Sequence, residues 1–237
     1  MEKRSIKYYI ISILSLGLII VSSLNIQAQD NTLSRKEKKE GWELLFNGND
    51  FTGWRGVNKK SFPSKGWRVK EGTITCTVES GGSIITLEKY GNFELEWDWK
   101  LVTPGANSGL KYFVNERKKD KGGYGFGVEY QMLDNPEHNR NSIGAAYDLY
   151  PAFPGTKPNK LGEWNHSRVV SLNGKVEHWL NGKKILEYDR FSDDFKQKVA
   201  DSKFKNEKNF GRHDDGHILL QDHSSEVYFK NIKVRGL

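Results

Sequence analysis

The chain has 237 residues, of which 36% are hydrophobic and 28% charged, with 37 Lys plus Arg against 30 Asp plus Glu. Its single cysteine, Cys76, excludes an intrachain disulfide, and the length is ample for a core that holds without one. The net charge of +7 is spread along the chain instead of packed into one block, which argues against a nucleic-acid partner.

Residues 1–7 carry Lys3, Arg4 and Lys7, an apolar run extends from Tyr8 to Leu24, and Ile26-Gln27-Ala28 ends in a small residue. That is the layout of a secretory signal peptide over residues 1–28. The rival reading of the same run is a membrane anchor. The short basic flank and Ala28 favour the signal, so a secreted or periplasmic protein is expected, with no stable membrane span after cleavage. No cysteine follows Ala28 to carry a lipid. Residues 29–40 include Arg35-Lys36-Glu37-Lys38-Lys39 and read as a flexible, solvated leader ahead of one domain over 41–237.

Cys76, within Thr73–Val78, reads as a buried small apolar residue. Phe93–Leu101 alternates strictly, apolar at odd positions and charged at even ones, so one face packs and the other meets solvent. On Gly125–Met132, Glu129 and Gln131 share a face with Gly125 and Gly127, while Tyr130 and Met132 point to the core. A carboxylate and an amide above glycines read as a ligand face that a sugar could approach closely. Asn173-Gly174 and Asn181-Gly182 each separate strand-like runs, and Asn-Gly is a strong hairpin signal because both turn positions need positive φ. They predict a meander of Ser167–Leu172, Lys175–Leu180 and Lys184–Tyr188. Ser192 caps a predicted short helix running to Ser202, with Phe195 and Val199 inward. The last strand spans Glu226–Arg235, and its apolar phase changes at Lys230-Asn231, which predicts a bulge. Many short strands, Gly-rich turns and almost no helical period argue for an all-β sandwich of two antiparallel sheets.

Several motifs in order resemble one family. Trp42-Glu43-Leu44-Leu45-Phe46-Asn47-Gly48 through Phe51-Thr52-Gly53-Trp54 comes first, then Tyr90-Gly91-Asn92-Phe93-Glu94-Leu95 and Asn107-Ser108-Gly109-Leu110. Gly127-Val128-Glu129-Tyr130-Gln131-Met132-Leu133-Asp134-Asn135, Glu163-Trp164-Asn165-His166 and His178-Trp179-Leu180-Asn181-Gly182 follow. Leu220-Gln221-Asp222-His223 and Val227-Tyr228-Phe229-Lys230-Asn231-Ile232 close the set. Together they resemble the 3-keto-disaccharide hydrolase domain family over residues 41–237, with Ser224 standing where relatives commonly have Gly. The resemblance implies a concanavalin A-like jelly roll and cleavage of glycosides already oxidised to a ketone at sugar carbon 3.

Such a ketone makes the carbon 2 proton acidic. Its removal gives an enediolate that expels the group at carbon 1, and water then adds to the 2-hydroxyglycal. The site needs a base near carbon 2 and positive charge or donors at the ketone oxygen, and a divalent metal ion would also serve there. No organic cofactor is needed. Glu129, His223 and Asp222 are the candidate catalytic groups. Asp222 and His223 are adjacent, so on a straight strand they face opposite sides. Gln131, Lys111, Asn107, Gln221 and His166 are the candidate substrate-binding groups. Lys111 shares the face of Asn107 and Gly109, and Gln221 the parity of His223. His178 reads as a packed histidine. His213 and His217, flanking Asp214-Asp215-Gly216, read as a polar loop without an accepted ligand spacing. Glu94, Glu96 and Asp98 alternate on one strand as glycosidase acids do, but Lys100 continues their face and the pattern reads as a charged outer surface. A carbohydrate-cleaving enzyme is the leading expectation, and a non-catalytic carbohydrate-binding module is the alternative.

Overall fold

The computed structural model describes residues 29–117, 125–135 and 137–237, so the expected signal over 1–28 lies outside the described residues. In chain order the strands are β1 (Glu43–Leu44), β2 (Trp54–Gly56), β3 (Trp67–Lys70), β4 (Thr73–Cys76), β5 (Ile84–Thr86), β6 (Phe93–Leu101) and β7 (Asn107–Asn115). They continue with β8 (Phe126–Leu133), β9 (Asn165–Leu172), β10 (Lys175–Leu180), β11 (Lys183–Asp189), β12 (His217–Leu220) and β13 (Val227–Gly236). Two helices are described, α1 (Arg35–Lys39) and α2 (Asp193–Ala200). No helix among the described residues is long and apolar enough to cross a membrane.

One sheet runs β11-β10-β9-β6-β13-β4-β3, with β1 also paired to β13; the other runs β2-β5-β12-β7-β8. The described pairings are antiparallel, and the two sheets face each other as a jelly-roll sandwich. The alternation of β6 sets its place. Phe93, Leu95, Trp97, Trp99 and Leu101 are all buried, each large side chain contributing roughly 1.5–3 kcal/mol when removed from water. From the facing sheet, Tyr130 meets Trp97 edge to face at 5.0 Å.

The turns follow the sequence. Asn173 and Gly174 have φ of 51° and 90°, Asn181 and Gly182 48° and 80°, as a two-residue hairpin with positive φ at both positions requires. The register of β13 with β6 shifts between Lys230 and Lys233, at the expected bulge, where Asn231 has φ 53°. Ser192 caps α2 by accepting from the Phe195 N–H at 3.1 Å, and Phe195 is fully buried.

Residues 29–40 depart from the expected flexible leader. Ser34 and Glu37 form a capping box that starts α1. Asn31 and Asn231 exchange backbone-to-side-chain hydrogen bonds of 2.6 and 2.9 Å, while Lys230 meets Asp30 at 2.8 Å and Lys233 meets Glu37 at 2.5 Å. The charged run is held because its acids meet lysines that the β13 bulge turns outward.

Candidate active site

A cavity of about 270 Å³ opens on the face of the five-stranded sheet that points away from the sandwich core, lined in part by Asn107, Lys111, Glu129, Gln131, Gln221 and His223. Three strands place these groups. Lys111 on β7 stands opposite Glu129 on β8, Gly109 opposite Gln131, and the Gln221 N–H donates to the Gly109 carbonyl at 2.9 Å. Gln221, directly after β12, thus forms a row with Gly109 on β7 and Gln131 on β8. Tyr130 and Met132 point into the core, as the alternation of β8 requires.

Glu129 is only 6% exposed. Its Oε2 lies 3.4 Å from Lys111 Nζ and accepts from Gln221 Nε2 at 3.3 Å. The glycine beneath it makes this reach possible. A Cβ at Gly109 would come within 2.8 Å of both Glu129 Cγ and Oε1. Gly125 and Gly127 also line the cavity, but sheet packing demands them as well: a Cβ at Gly127 would lie 2.6 Å from the Tyr112 carbonyl, and one at Gly125 2.7 Å from Leu219. Gly109, expected on the face of Lys111 and Asn107 but given no role there, is the one that makes room for the carboxylate.

The Asp222-His223 pair divides. Asp222 Oδ2 accepts from the backbone N–H groups of Gly81 and Gly82, both at 2.8 Å, and Oδ1 from Ser224 N–H at 3.0 Å. Its carboxylate lines the cavity and also clamps the Ser80–Gly82 loop. His223 is exposed at the cavity mouth. Ser224 takes a φ of 56°, so the turn keeps the left-handed conformation that a glycine would adopt freely.

His166 does not join the cavity. It stands on β9 in the other sheet, with Nδ1 2.8 Å from Asp98 and Nε2 4.0 Å from Glu96. Parity along a strand tells which residues share a face, not which sheet carries it. Glu94, Glu96 and Asp98 are likewise paired on that outer face, with Arg168 and Arg235, with Lys233, and with His166 and Asn231.

His178 is fully buried between the sheets. Its Nδ1–H donates to the Gly144 carbonyl at 2.9 Å, so Nε2 accepts from the Tyr112 hydroxyl at 2.7 Å, and Tyr112 in turn accepts from Tyr188 at 2.7 Å. Burial pushes its pKa down to about 4 and keeps it neutral. The carbonyl it holds belongs to the loop that borders β8: Gly144 N–H donates to Gln131 O at 2.9 Å, and Tyr147 N–H to Glu129 O at 3.0 Å. Burial, with the Asp222 carboxylate beside it, likewise pushes up the Cys76 thiol, which donates to Asp222 Oδ1 at 3.7 Å. Among the described residues no group of three or more His, Cys, Asp or Glu side chains is placed to hold a metal ion. Lys111 is the positive charge beside Glu129.

Tyr147, Lys203, Phe204 and Phe126 complete the wall and were not among the sequence candidates. Lys203 lies 4.1 Å over the Tyr147 ring, and its backbone N–H donates to Asp148 at 2.8 Å. All but Phe126 come from loops that carry no strand or helix period. The one sequence signal was the aromatic residues themselves, which cores also use.

The profile of a family described as 3-keto-alpha-glucoside-1,2-lyase-like domain matches residues 41–235. A 3-keto-disaccharide hydrolase of Bacteroides thetaiotaomicron is 34% identical, the alignment covering 89% of this chain and 83% of that protein. A candidate glycosyl hydrolase of Parabacteroides distasonis superposes with a TM-score of 0.78 at 38% identity, covering 88% of this chain and 100% of that one. A second from the same species gives 0.64 at 27%, covering 83% and 99%.

Proposed function

The chain belongs to the 3-keto-alpha-glucoside-1,2-lyase-like domain family, a family of glycoside-acting enzymes, and from that membership we propose that it is an exported enzyme that cleaves 3-keto-glycosides by elimination and hydration. The observation that carries this reading is the buried Glu129–Lys111 pair at 3.4 Å on the floor of the cavity.

Each group then has a task. Glu129 takes the carbon 2 proton, and burial shields it from competing water. Lys111 faces the oxygen on which charge develops and stabilises the enediolate. The bond from carbon 1 to the departing oxygen breaks as the double bond between carbons 1 and 2 forms. His223, at the mouth, supplies a proton to the departing oxygen and is regenerated from solvent. Water then adds to carbon 1, Glu129 loses the proton it took to solvent, and a solvent proton is delivered to carbon 2. Gln131, Asn107 and Gln221 hold the ring, and Gly109 leaves the space in which Glu129 lies. Asp222 shapes the turn that carries His223. No step is routed through a divalent ion, because the acids and imidazoles described do not converge on one.

Feeding the purified protein a 3-keto-glucoside and the matching unoxidised glucoside tests the reading. Aglycone released from the oxidised sugar alone is the expected result. Tight binding of both with no release would make the protein a carbohydrate-binding module. Export is tested by mass spectrometry of the protein outside the cytoplasm, with Gln29 expected at its N-terminus. Recovery of the intact chain in the membrane fraction would contradict export.

A further inference from the structure

Two loops outside any strand or helix wall the cavity on one side, and one side chain joins them. The first, residues 139–150, runs along the edge of β8, where the Gln131 N–H donates to the Ala145 carbonyl at 3.1 Å and the Tyr147 N–H to the Glu129 carbonyl at 3.0 Å. The second, residues 201–210, leaves α2 and brings Lys203 and Phe204 to the cavity. Asp148 stands between them. Its Oδ2 accepts from the Lys203 N–H at 2.8 Å, its Oδ1 lies 3.1 Å from Arg140 Nε, and its own N–H donates to the Arg140 carbonyl at 2.7 Å. Asp148 is 8% exposed, and a buried carboxylate is costly unless its oxygens are matched, as both are here.

The Asp148 backbone has a φ of 62°, in the left-handed region that glycine enters freely and other residues enter at a cost. The position keeps a carboxylate in spite of that cost, which points to a use for the side chain. The other hydrogen bonds of residues 201–206 stay local: Asp201 bonds to Gln197, Ser202 to Val199, Phe204 and Lys205 to Ser202, and Glu207 to Phe204. Tyr150 holds Asp194 at the start of α2 and Arg117 meets Glu207 farther on, so neither fixes this turn. Across the same junction the Lys203 ammonium lies 4.1 Å over the Tyr147 ring and 5.2 Å from the Phe204 ring. Among the described residues, Asp148 is the hydrogen-bond tie between the turn that carries Lys203 and the loop on β8.

We propose that Asp148 is a positioning residue: it ties the two loops into one wall and so sets how tightly the cavity holds its substrate, acting through Lys203 and Phe204. The inference rests on the proposed activity for what is turned over, and adds to it a residue outside the cavity lining. With the tie cut, the turn is free to swing on α2, and each binding event must first order it. Glu129 and Lys111 stay on their strands, so the chemical step keeps its groups. The cost falls on KM and spares kcat.

Two variants test this. Asp148→Gly removes the carboxylate and relaxes the backbone, whereas Asp148→Asn keeps an oxygen for the Lys203 N–H and tolerates the same φ. A residue kept only for its backbone conformation is served by glycine at least as well, so the pair separates the two roles. Both are compared with the wild type in kcat and KM on a 3-keto-glucoside, in melting temperature, and in amide hydrogen exchange over residues 201–206 by mass spectrometry. The expected result for Asp148→Gly is a KM raised about 10-fold, the worth of one hydrogen bond to a charged group, with kcat nearly kept and residues 201–206 exchanging faster. Asp148→Asn brings KM and exchange back near the wild type. Unchanged exchange in Asp148→Gly, a fall in kcat alone, or Asp148→Asn no better than Asp148→Gly overturns the proposal. Exchange, and affinity for the unoxidised glucoside by calorimetry, are read without turnover and so separate this claim from the activity. Faster exchange with weaker glucoside binding, and no turnover by the wild type, would keep the positioning role and remove the activity. Turnover by the wild type with unchanged exchange in both variants would keep the activity and remove the role. Faster exchange with neither KM nor glucoside affinity changed would remove it as well.

Discussion

The two outward faces of the sandwich carry similar alternating polar residues and end in opposite electrostatic states. On β6, Glu94 meets Arg168 at 3.0 Å and Arg235 at 2.5 Å, Glu96 meets Lys233 at 2.9 Å, and Asp98 meets His166 at 2.8 Å and Asn231 at 2.7 Å. Each of these three acids is matched, and α1 adds Glu37 to the same network through Lys233. On β7, β8 and β12 one carboxylate meets one ammonium, and three amide oxygens have no partner. A matched face stabilises the fold. An incompletely matched one, concave and half apolar, is complementary to something that is not protein. Acidic residues at alternate positions do not identify a catalytic strand until their partners are known.

Substitutions on the two faces should therefore fail in different ways. Glu129→Gln nearly keeps shape, and a lost general base costs roughly 10²–10⁴-fold in rate. We expect that loss in kcat from protein that is still folded, with the melting temperature measured alongside because Lys111 loses its buried carboxylate. Full turnover by a folded Glu129→Gln protein would remove Glu129 from the chemistry.

Gly109→Ala places a Cβ within 2.8 Å of the Glu129 carboxylate and displaces it. A misplacement of about 1 Å can cost roughly 10²-fold, so a fall of about 10- to 100-fold in kcat is expected, with a smaller change in KM. Steady-state kinetics on the 3-keto-glucoside would show it. A change in melting temperature alone, with kcat preserved, would make Gly109 only a packing residue.

The pH dependence of stability belongs to the core between the faces. His178 has its pKa lowered from 6.5 to about 4 in the folded chain, so the unfolded chain binds its proton first as pH falls. Stability from this group is full above about pH 6.5 and is lost between there and about pH 4. The loss is on the order of 2–3 kcal/mol. Burial lowers the His217 pKa as well, with the same sign. Denaturant titrations at pH 7 and pH 4.5 should show a smaller pH difference in His178→Gln than in the wild type. An equal difference in both would contradict the assignment.

Glu94→Gln should cost about 1–3 kcal/mol by leaving Arg168 and Arg235 without their carboxylate, and should leave turnover unchanged. Loss of activity in a stable Glu94→Gln protein would erase the contrast between the faces.

Most of the fold was legible because strand period and Asn-Gly turns are local. Phe93–Leu101 declared its inner face residue by residue, and the phase change at Lys230-Asn231 located the bulge. Glu129, Gln131, Lys111, Asn107 and Gln221 were legible as a face for the same reason. What escaped depends on register between strands or on loops. Gly109 matters because Glu129 lies across it, which no reading of β7 alone reveals. His166 shares a polar pattern with the site but belongs to the other sheet. Tyr147 and Lys203 lie on loops without a period. The leader looked like a tether because Arg35–Lys39 is so charged, although Ser34 and Glu37 already had the spacing of a capping box.

The central claim is that the carbon 2 proton leaves during turnover, and heavy water tests it most directly. With the wild-type enzyme on a 3-keto-glucoside in deuterium oxide, the account predicts deuterium at carbon 2 of the released 3-keto sugar, above the level of a control without enzyme. Product formed at full rate with no deuterium at carbon 2 beyond that control would mean direct displacement at carbon 1, and would contradict the account.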